Sequence, residues 1–571
     1  MFLKGEAEMK KIISLLLVFS LIFVLMAPVA GASENERLPR IFIRGNGVEL
    51  YNGDGTPLIT GLDNLDFMGG GESEGAEETK DKIVEAAVNI LKPFVLEGMV
   101  FDEWDNYGKA VYEEIAPLFG ENAGLDENGN AKNGSGVSPS DLAASENNSK
   151  SAALYNSNQD YYFCYDWRLS PYDHVDRLHE YVQNIMTATG KTQVNMYARC
   201  IGGGLLMAYL ERYGHLGHVK NVMFVDVLSN ESTVISKSMS GKVEFDAAFL
   251  EKYMAQLDYC GRIEMGTGFV FTDTLNEIVF KTMDFFNQIN VTDTALDGVD
   301  KLYSRLYKAL IPALMHASGM ATQVNYWTCV AEDDMDDALE LIFGEEGSEI
   351  RTKYAGLIEK ILYYREHVSG DLDGFYDGLK EDGIHFGFLA KYGFLNAPFT
   401  EERYLISDSL VSVEHAAYGA TTAPVGSTLS EEYINARIEE GNGKYISPDK
   451  TIDLSTAYSP DTTWIVKNAH HNVFYDLNGI MREFLDGTNE TVDTVTCAEQ
   501  FMVYDFSEEA KVGTLSVMNE ENCIDLEFMS VGNVKTTPFS ILTAFFNFVS
   551  MLIDLFDSIF KGEFDLGSLF G

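Results

Sequence analysis

The chain reads as an α/β protein built on a mostly parallel central sheet, with a large helical insertion and a C-terminal extension. Three observations carry that expectation. Strand-like apolar runs at Asp160 to Cys164, Gln193 to Ala198 and Val219 to Val227 alternate with helical segments. Strand-helix-strand at this spacing implies parallel strands joined by right-handed crossovers. Between the second run and its helix, glycines crowd a tight turn at Ala198-Arg199-Cys200-Ile201-Gly202-Gly203-Gly204, as close strand-to-helix packing requires. Finally, the chain has 571 residues, where a minimal α/β core needs only ~250, so insertions or added modules must account for the surplus.

In chain order, residues 1 to 32 have the makings of a secretory signal. Lys10 and Lys11 precede the apolar run Ile12 to Met26, and Ala30-Gly31-Ala32 supplies small residues for cleavage. No cysteine follows to take a lipoprotein anchor, and Met9 is an alternative start. A secreted or cell-surface location follows. Residues 33 to 230 form the first part of the core. Within it, 83 to 119 has helical character, and 120 to 158 is dense in Asn, Gly, Ser and Asp, which predicts an exposed loop. Val175, Leu178, Val182 and Ile185 recur at helical spacing up to Gly190. Leu205 to Arg212 continues as a helix with Leu205, Leu206 and Tyr209 inward and a stop at Gly214.

Residues 231 to 380 read as a helical cap, with Leu302 to His316 and Met335 to Phe343 as examples, whose apolar side would line an acyl-chain pocket. Residues 381 to 486 return to the core with a strand at His385 to Ala390. A small β-rich appendage at 487 to 536 and an amphipathic helix at 537 to 571 complete the chain.

The turn carries the chemistry. A side chain at the corner between a buried strand and a helix projects outward, which puts Cys200 at the apex. The thiolate is the reactive form of cysteine. The positive end of the following helix and a neighbouring Arg199 both favour it. The usual pattern at such a corner is G-x-S-x-G; here Ala198 replaces one glycine and Cys200 the serine. A phosphate-cradling loop is the other use of such glycines, but no lysine follows them.

With Tyr165-Asp166-Trp167-Arg168, the turn at Ala198 to Gly203 and three further stretches, the chain resembles a bacterial α/β-hydrolase of the lecithin:cholesterol acyltransferase and lipase group. The further stretches are Leu38-Pro39-Arg40-Ile41-Phe42-Ile43-Arg44-Gly45-Asn46-Gly47, Ser407-Asp408-Ser409-Leu410-Val411-Ser412-Val413-Glu414 and Trp464-Ile465-Val466-Lys467-Asn468-Ala469-His470-His471. Their order is that of the fold: nucleophile, acid, histidine. The resemblance implies a nucleophile at Cys200, an acid at Asp408 and a base at His471, with oxyanion donors at Ile201 and Asn46. His470 competes with His471, although the spacing from Asn468 favours the latter. Asp449 competes with Asp408 and lies nearer in sequence to the histidines. The implied activity is hydrolysis of carboxylic esters with an apolar acyl portion through a cysteine acyl-enzyme. An acyltransferase using the same thioester, or a lipid-binding surface protein with weak turnover, are the alternatives.

Composition narrows the partners. With 88 acidic and 41 basic residues the net charge is -47, the opposite of a nucleic-acid footprint. No C-x-x-C or H-E-x-x-H suggests zinc, and no cofactor is called for. The acidic run Glu332 to Asp337 lacks calcium-loop spacing and reads as the start of a solvated helix. Export would allow disulfides, and Cys497 and Cys523 flank a β-rich segment that a bridge would close. In the tail, Leu542, Phe545, Phe546, Val549, Leu552, Ile553 and Phe556 form an apolar arc with Asp554 and Asp557 opposite. Its apolar span is short for a bilayer crossing, so peripheral membrane contact or docking on protein are its expected uses.

Overall fold

The computed structural model describes residues 37–45, 48–58, 93 and 104–243, scattered positions between 249 and 260, and residues 305–530 apart from 306, 398–399, 401 and 508–511. The leader at 1 to 32, Asn46 and the tail at 537 to 571 lie outside the described residues, as does much of the expected cap.

Eight strands form the central sheet. They are β1 (Arg40–Ile43), β2 (Tyr161–Tyr162), β3 (Val194–Cys200), β4 (Val219–Val227), β5 (His385–Tyr392), β6 (Thr463–Lys467), β7 (Phe501–Ser507) and β8 (Val512–Val517). The spatial order is 2-1-3-4-5-6-7-8. All neighbours run parallel except β7 and β8, which pair antiparallel. Chain order reverses between β1 and β3, and in open α/β sheets the crevice beyond the carboxyl ends at that point is where ligands bind. Cys200 is the last residue of β3.

Successive residues of each strand point to opposite faces, and both faces of the sheet are covered, so the strands read as nearly continuous apolar runs. Ile41, Met196, Ala198, Phe224, Phe388 and Ile465 pack on one side with the helices Val175–Thr189 and Gly202–Tyr213. Phe42, Tyr197, Met223, Leu389, Trp464 and Val466 pack on the other against Ile480, Met481, Phe484 and Leu485 of the helix Asn478–Asp486. That helix ends on two buried asparagines: Asn195 and Asn221 both donate to the Leu485 carbonyl, and Asn221 also donates to Gly487 at 3.0 Å. The last helical carbonyls, which lack partners within a helix, are satisfied from the strands.

Four expectations are corrected. The segment 487 to 536 is no appendage, because β7 and β8 continue the central sheet beyond β6. The loop expected at 120 to 158 contains the helix Pro139–Ser149, started by the Ser138 hydroxyl accepting from the Asp141 amide with proline at the first turn. Two helices assigned to the cap, Ala355–His367 and Leu372–Glu381, belong partly to the core: Tyr364, Phe375, Tyr376 and Leu379 share the buried cluster of Phe224, Phe386 and Phe388. The cysteines are free thiols, so Cys497 and Cys523 do not bridge.

The acidic run at 332 to 337 does open a helix, Met335–Phe343, but it is not wholly solvated. Asp334 is buried and binds Lys242 at 2.5 Å, Lys237 at 2.9 Å and the Ser236 hydroxyl at 2.6 Å. Lys237 also reaches Glu402 at 3.1 Å, tying the helix Thr233–Ser240 to both neighbours. Among the described residues no helix is long and apolar enough to cross a membrane.

Candidate active site

Cys200 adopts φ 58°, the left-handed region, which is strained for a residue with a Cβ. The glycines after it explain how the strain is held. A Cβ on Gly202 would sit 2.6 Å from the Ile43 carbonyl oxygen, one on Gly203 2.7 Å from Val227, and one on Gly204 2.7 Å from Asn325 Oδ1. The helix therefore starts wedged between β1, β4 and the segment at 325, and the thiol is turned out at the end of β3. Gly45, unremarked in the sequence, lies against it: a Cβ there would be 3.1 Å from Cys200 Cβ and 3.5 Å from Sγ. The Tyr165-Asp166-Trp167-Arg168 stretch braces this loop. Tyr165 donates to the Arg44 carbonyl at 2.7 Å and the Trp167 indole to the Val48 carbonyl at 3.2 Å. Buried Arg168 grips Asp166 through both carboxylate oxygens, at 3.0 and 2.6 Å.

The loop after β6 brings His471 to Asp408. The ring Nδ1 and Asp408 Oδ2 are 2.7 Å apart, and the His471 amide donates to the Asp408 carbonyl at 2.9 Å. Asp408 is fully buried, and its other oxygen accepts from the amides of Leu410 at 3.0 Å and Val411 at 2.9 Å. These donors leave the carboxylate a single orientation toward the ring. Burial opposes its charge, but His471, Lys391 and the Val411 amide outweigh that and hold Asp408 well below the usual carboxylate range.

His471 Nε2 is buried with no hydrogen-bond partner, and the ring and the Cys200 thiol lie near enough for each to favour the other's charge. Burial would push the half-buried thiol up, but His471, Arg199 and the Ile201 amide bring it below its ordinary value. Burial would likewise lower His471, yet Asp408 and Cys200 raise it to about 9. The favoured pair is therefore thiolate and imidazolium. A reaction needing both should fade as pH falls through the lowered thiol value and again as pH rises through about 9. The expected kcat/KM profile is a bell with its alkaline limb near 9, measured across pH with a neutral ester.

The rival residues have other employment. His470 Nδ1 accepts from the Asn472 amide at 3.3 Å, which assigns the proton to Nε2, 3.0 Å from the Ser409 hydroxyl. Burial drives His470 down to about 3, so the ring stays neutral. Asp449 receives Lys467 at 2.9 Å, Tyr392 at 2.5 Å, Ser447 at 2.7 Å and Thr451 at 2.8 Å. Neither histidine is among these partners. Of the two residues expected as oxyanion donors, the Ile201 amide favours negative charge on the sulfur, and Asn46 lies outside the described residues.

No family model, curated protein or solved structure matches this chain.

Arg199 does more than supply charge: its guanidinium donates to the His471 carbonyl at 2.5 Å and lies 5.3 Å from the Phe474 ring centre. A buried ion pair, Asp226 with Lys391 at 3.0 Å, adjoins the same loop and had no signal in the sequence. A cavity of about 1100 Å³ opens between the helix Asp105–Phe119, the residues just after it and residues 309–354. Tyr112, Leu125, His316 and Ile342 line it, and Cys200, His471 and Asp408 do not. Among the described residues no group of three or more His, Cys, Asp and Glu side chains is arranged to hold a metal.

Proposed function

We propose that this protein is an α/β-hydrolase of the lipase and esterase kind, exported from the cell, that cleaves carboxylic esters with an apolar acyl portion through a thioester at Cys200. One observation carries the reading: a strained cysteine at the carboxyl end of β3 shares a charge-coupled site with a histidine whose far nitrogen is 2.7 Å from a buried aspartate. The resemblance of the sequence to the lecithin:cholesterol acyltransferase and lipase group supports the same chemistry.

In this mechanism the Cys200 thiolate attacks the ester carbonyl carbon, forming the S–C bond and moving the carbonyl π electrons to oxygen. The Ile201 amide donates to that oxyanion, and one such donor is typically worth about 3 kcal/mol to the transition state. Collapse re-forms the carbonyl and breaks the C–O bond, with His471 protonating the departing alkoxide. Neutral His471 then takes a proton from water as it adds to the thioester, and the tetrahedral species expels the thiolate with release of the acid. Asp408 keeps the proton on Nδ1 and offsets the imidazolium charge. An alcohol in place of water gives acyl transfer by the same steps.

The test is to trap the intermediate. Incubation with an activated acyl ester should add one acyl mass to the peptide bearing Cys200, removable by hydroxylamine, and the Cys200→Ala variant should neither gain the mass nor release alcohol. Product analysis with an added alcohol divides hydrolysis from transfer. Ester turnover undiminished in Cys200→Ala would sink the proposal.

A further inference from the structure

The loop that carries His471 is gathered onto one ammonium group. Lys391, wholly buried near the carboxyl end of β5, donates from Nζ to the carbonyls of His470 at 2.9 Å, His471 at 2.7 Å and Val473 at 2.8 Å. An ammonium has three N–H donors, and three carbonyls use all of them. The Asp226 carboxylate, also wholly buried and 3.0 Å away, is left as counter-ion with neither oxygen hydrogen-bonded. Asp226 is the penultimate residue of β4, one before Val227, which is in register with Cys200, and it holds φ 43°. The pair thus spans from the strand next to Cys200 to the backbone on either side of the histidine.

From this geometry we infer that Lys391 is a positioning residue for the proposed hydrolase: anchored by Asp226, it fixes the His470–Val473 backbone so that the His471 ring stays against the Cys200 thiol. The inference rests on the proposed thiolate and imidazolium pair. A buried lysine is costly for a fold that needs only packing, since an apolar side chain of the same length would fill the space without desolvating a charge. What it supplies here is three charge-assisted hydrogen bonds to a stretch with no regular secondary structure. The titratable and charged groups facing it are Asp226, Asp408, Arg199 and His470. Burial brings Lys391 below its ordinary value and Arg199 adds to this, while Asp226 and Asp408 favour its charge.

The experiment is the pH dependence of Cys200 alkylation by iodoacetamide, followed by peptide mass spectrometry, in the parent, in Lys391→Met and in the double variant Asp226→Asn with Lys391→Met. The double variant removes both buried charges, so it remains informative where the single one fails to fold. The expected parent profile has its inflection below that of an ordinary thiol. Both variants should move the inflection up and label Cys200 about 10-fold more slowly at pH 6.5, a shift of about one pKa unit. Rates at high pH should converge, and KM should change less than kcat on an ester substrate. Variant profiles that superimpose on the parent overturn the positioning role and leave the nucleophile standing. An ordinary thiol profile in the parent overturns the nucleophile assignment and the positioning role with it.

Discussion

Replacing His471 with alanine is expected to lower ester turnover about 10⁴-fold, the scale seen when a histidine-based triad loses a member that acts as a unit with the others. Two losses combine. The leaving alkoxide has no proton donor, and the thiol loses the imidazolium that is the strongest influence holding it below its ordinary value. With burial still acting on it, the thiol should rise, so its alkylation at neutral pH should slow as well. Turnover measured beside iodoacetamide labelling checks both halves. His470→Ala is the control: that neutral ring, bonded to Ser409 and Asn472, should leave the thiol profile in place. If the His470 variant loses the low-pH thiolate and the His471 variant keeps it, the roles are reversed.

The second large effect concerns stability. Asp334→Ala should destabilise the fold by about 3–5 kcal/mol, the usual result of deleting one partner from a buried ionic cluster. The carboxylate is fully buried, with Lys237, Lys242 and Ser236 converging on it. Removing it takes from the Lys237 ammonium, which is only 9 % exposed, its nearest and only fully buried counter-ion, and leaves the buried Ser236 hydroxyl without its acceptor. A urea melt at neutral pH reads the loss as a lower midpoint with an unchanged slope. Asp336→Ala is the comparison, because that neighbour is 86 % exposed and pairs only with partly exposed Arg365. It should shift the midpoint by less than about 1 kcal/mol.

Much of the sheet was legible because local pattern and tertiary environment agree. β3 and β4 read as apolar runs since both faces are covered, and the glycines after Cys200 announced a close approach that three neighbouring backbones and side chains now explain. Asp408 and His471 came from the order of stretches resembling a known family, and the structure brings them together with Cys200.

The rest depended on contacts far apart in the chain. Lys391 sits in a strand where a lysine ordinarily suggests an exposed face, its carbonyl acceptors are 79 to 82 residues further on, and its counter-ion Asp226 is on an earlier strand. Asp334 resembles its acidic neighbours in every local respect. Only lysines more than 90 residues earlier single it out. The pairing of β7 with β6 was hidden for a related reason. A short strand after a histidine loop carries no mark of which edge it will join.

The distance along the chain between sulfur and imidazole has a consequence for biosynthesis. Arg199, the neighbour of the nucleophile, meets His471 across 272 residues. Chains leave the ribosome amino end first, so most of a nascent molecule already contains the cysteine while the group that ionises it has yet to be translated. Throughout that interval the sulfur is an ordinary, weakly nucleophilic thiol. On the proposed mechanism, the thiol becomes reactive only once the segment carrying His471 docks beside it.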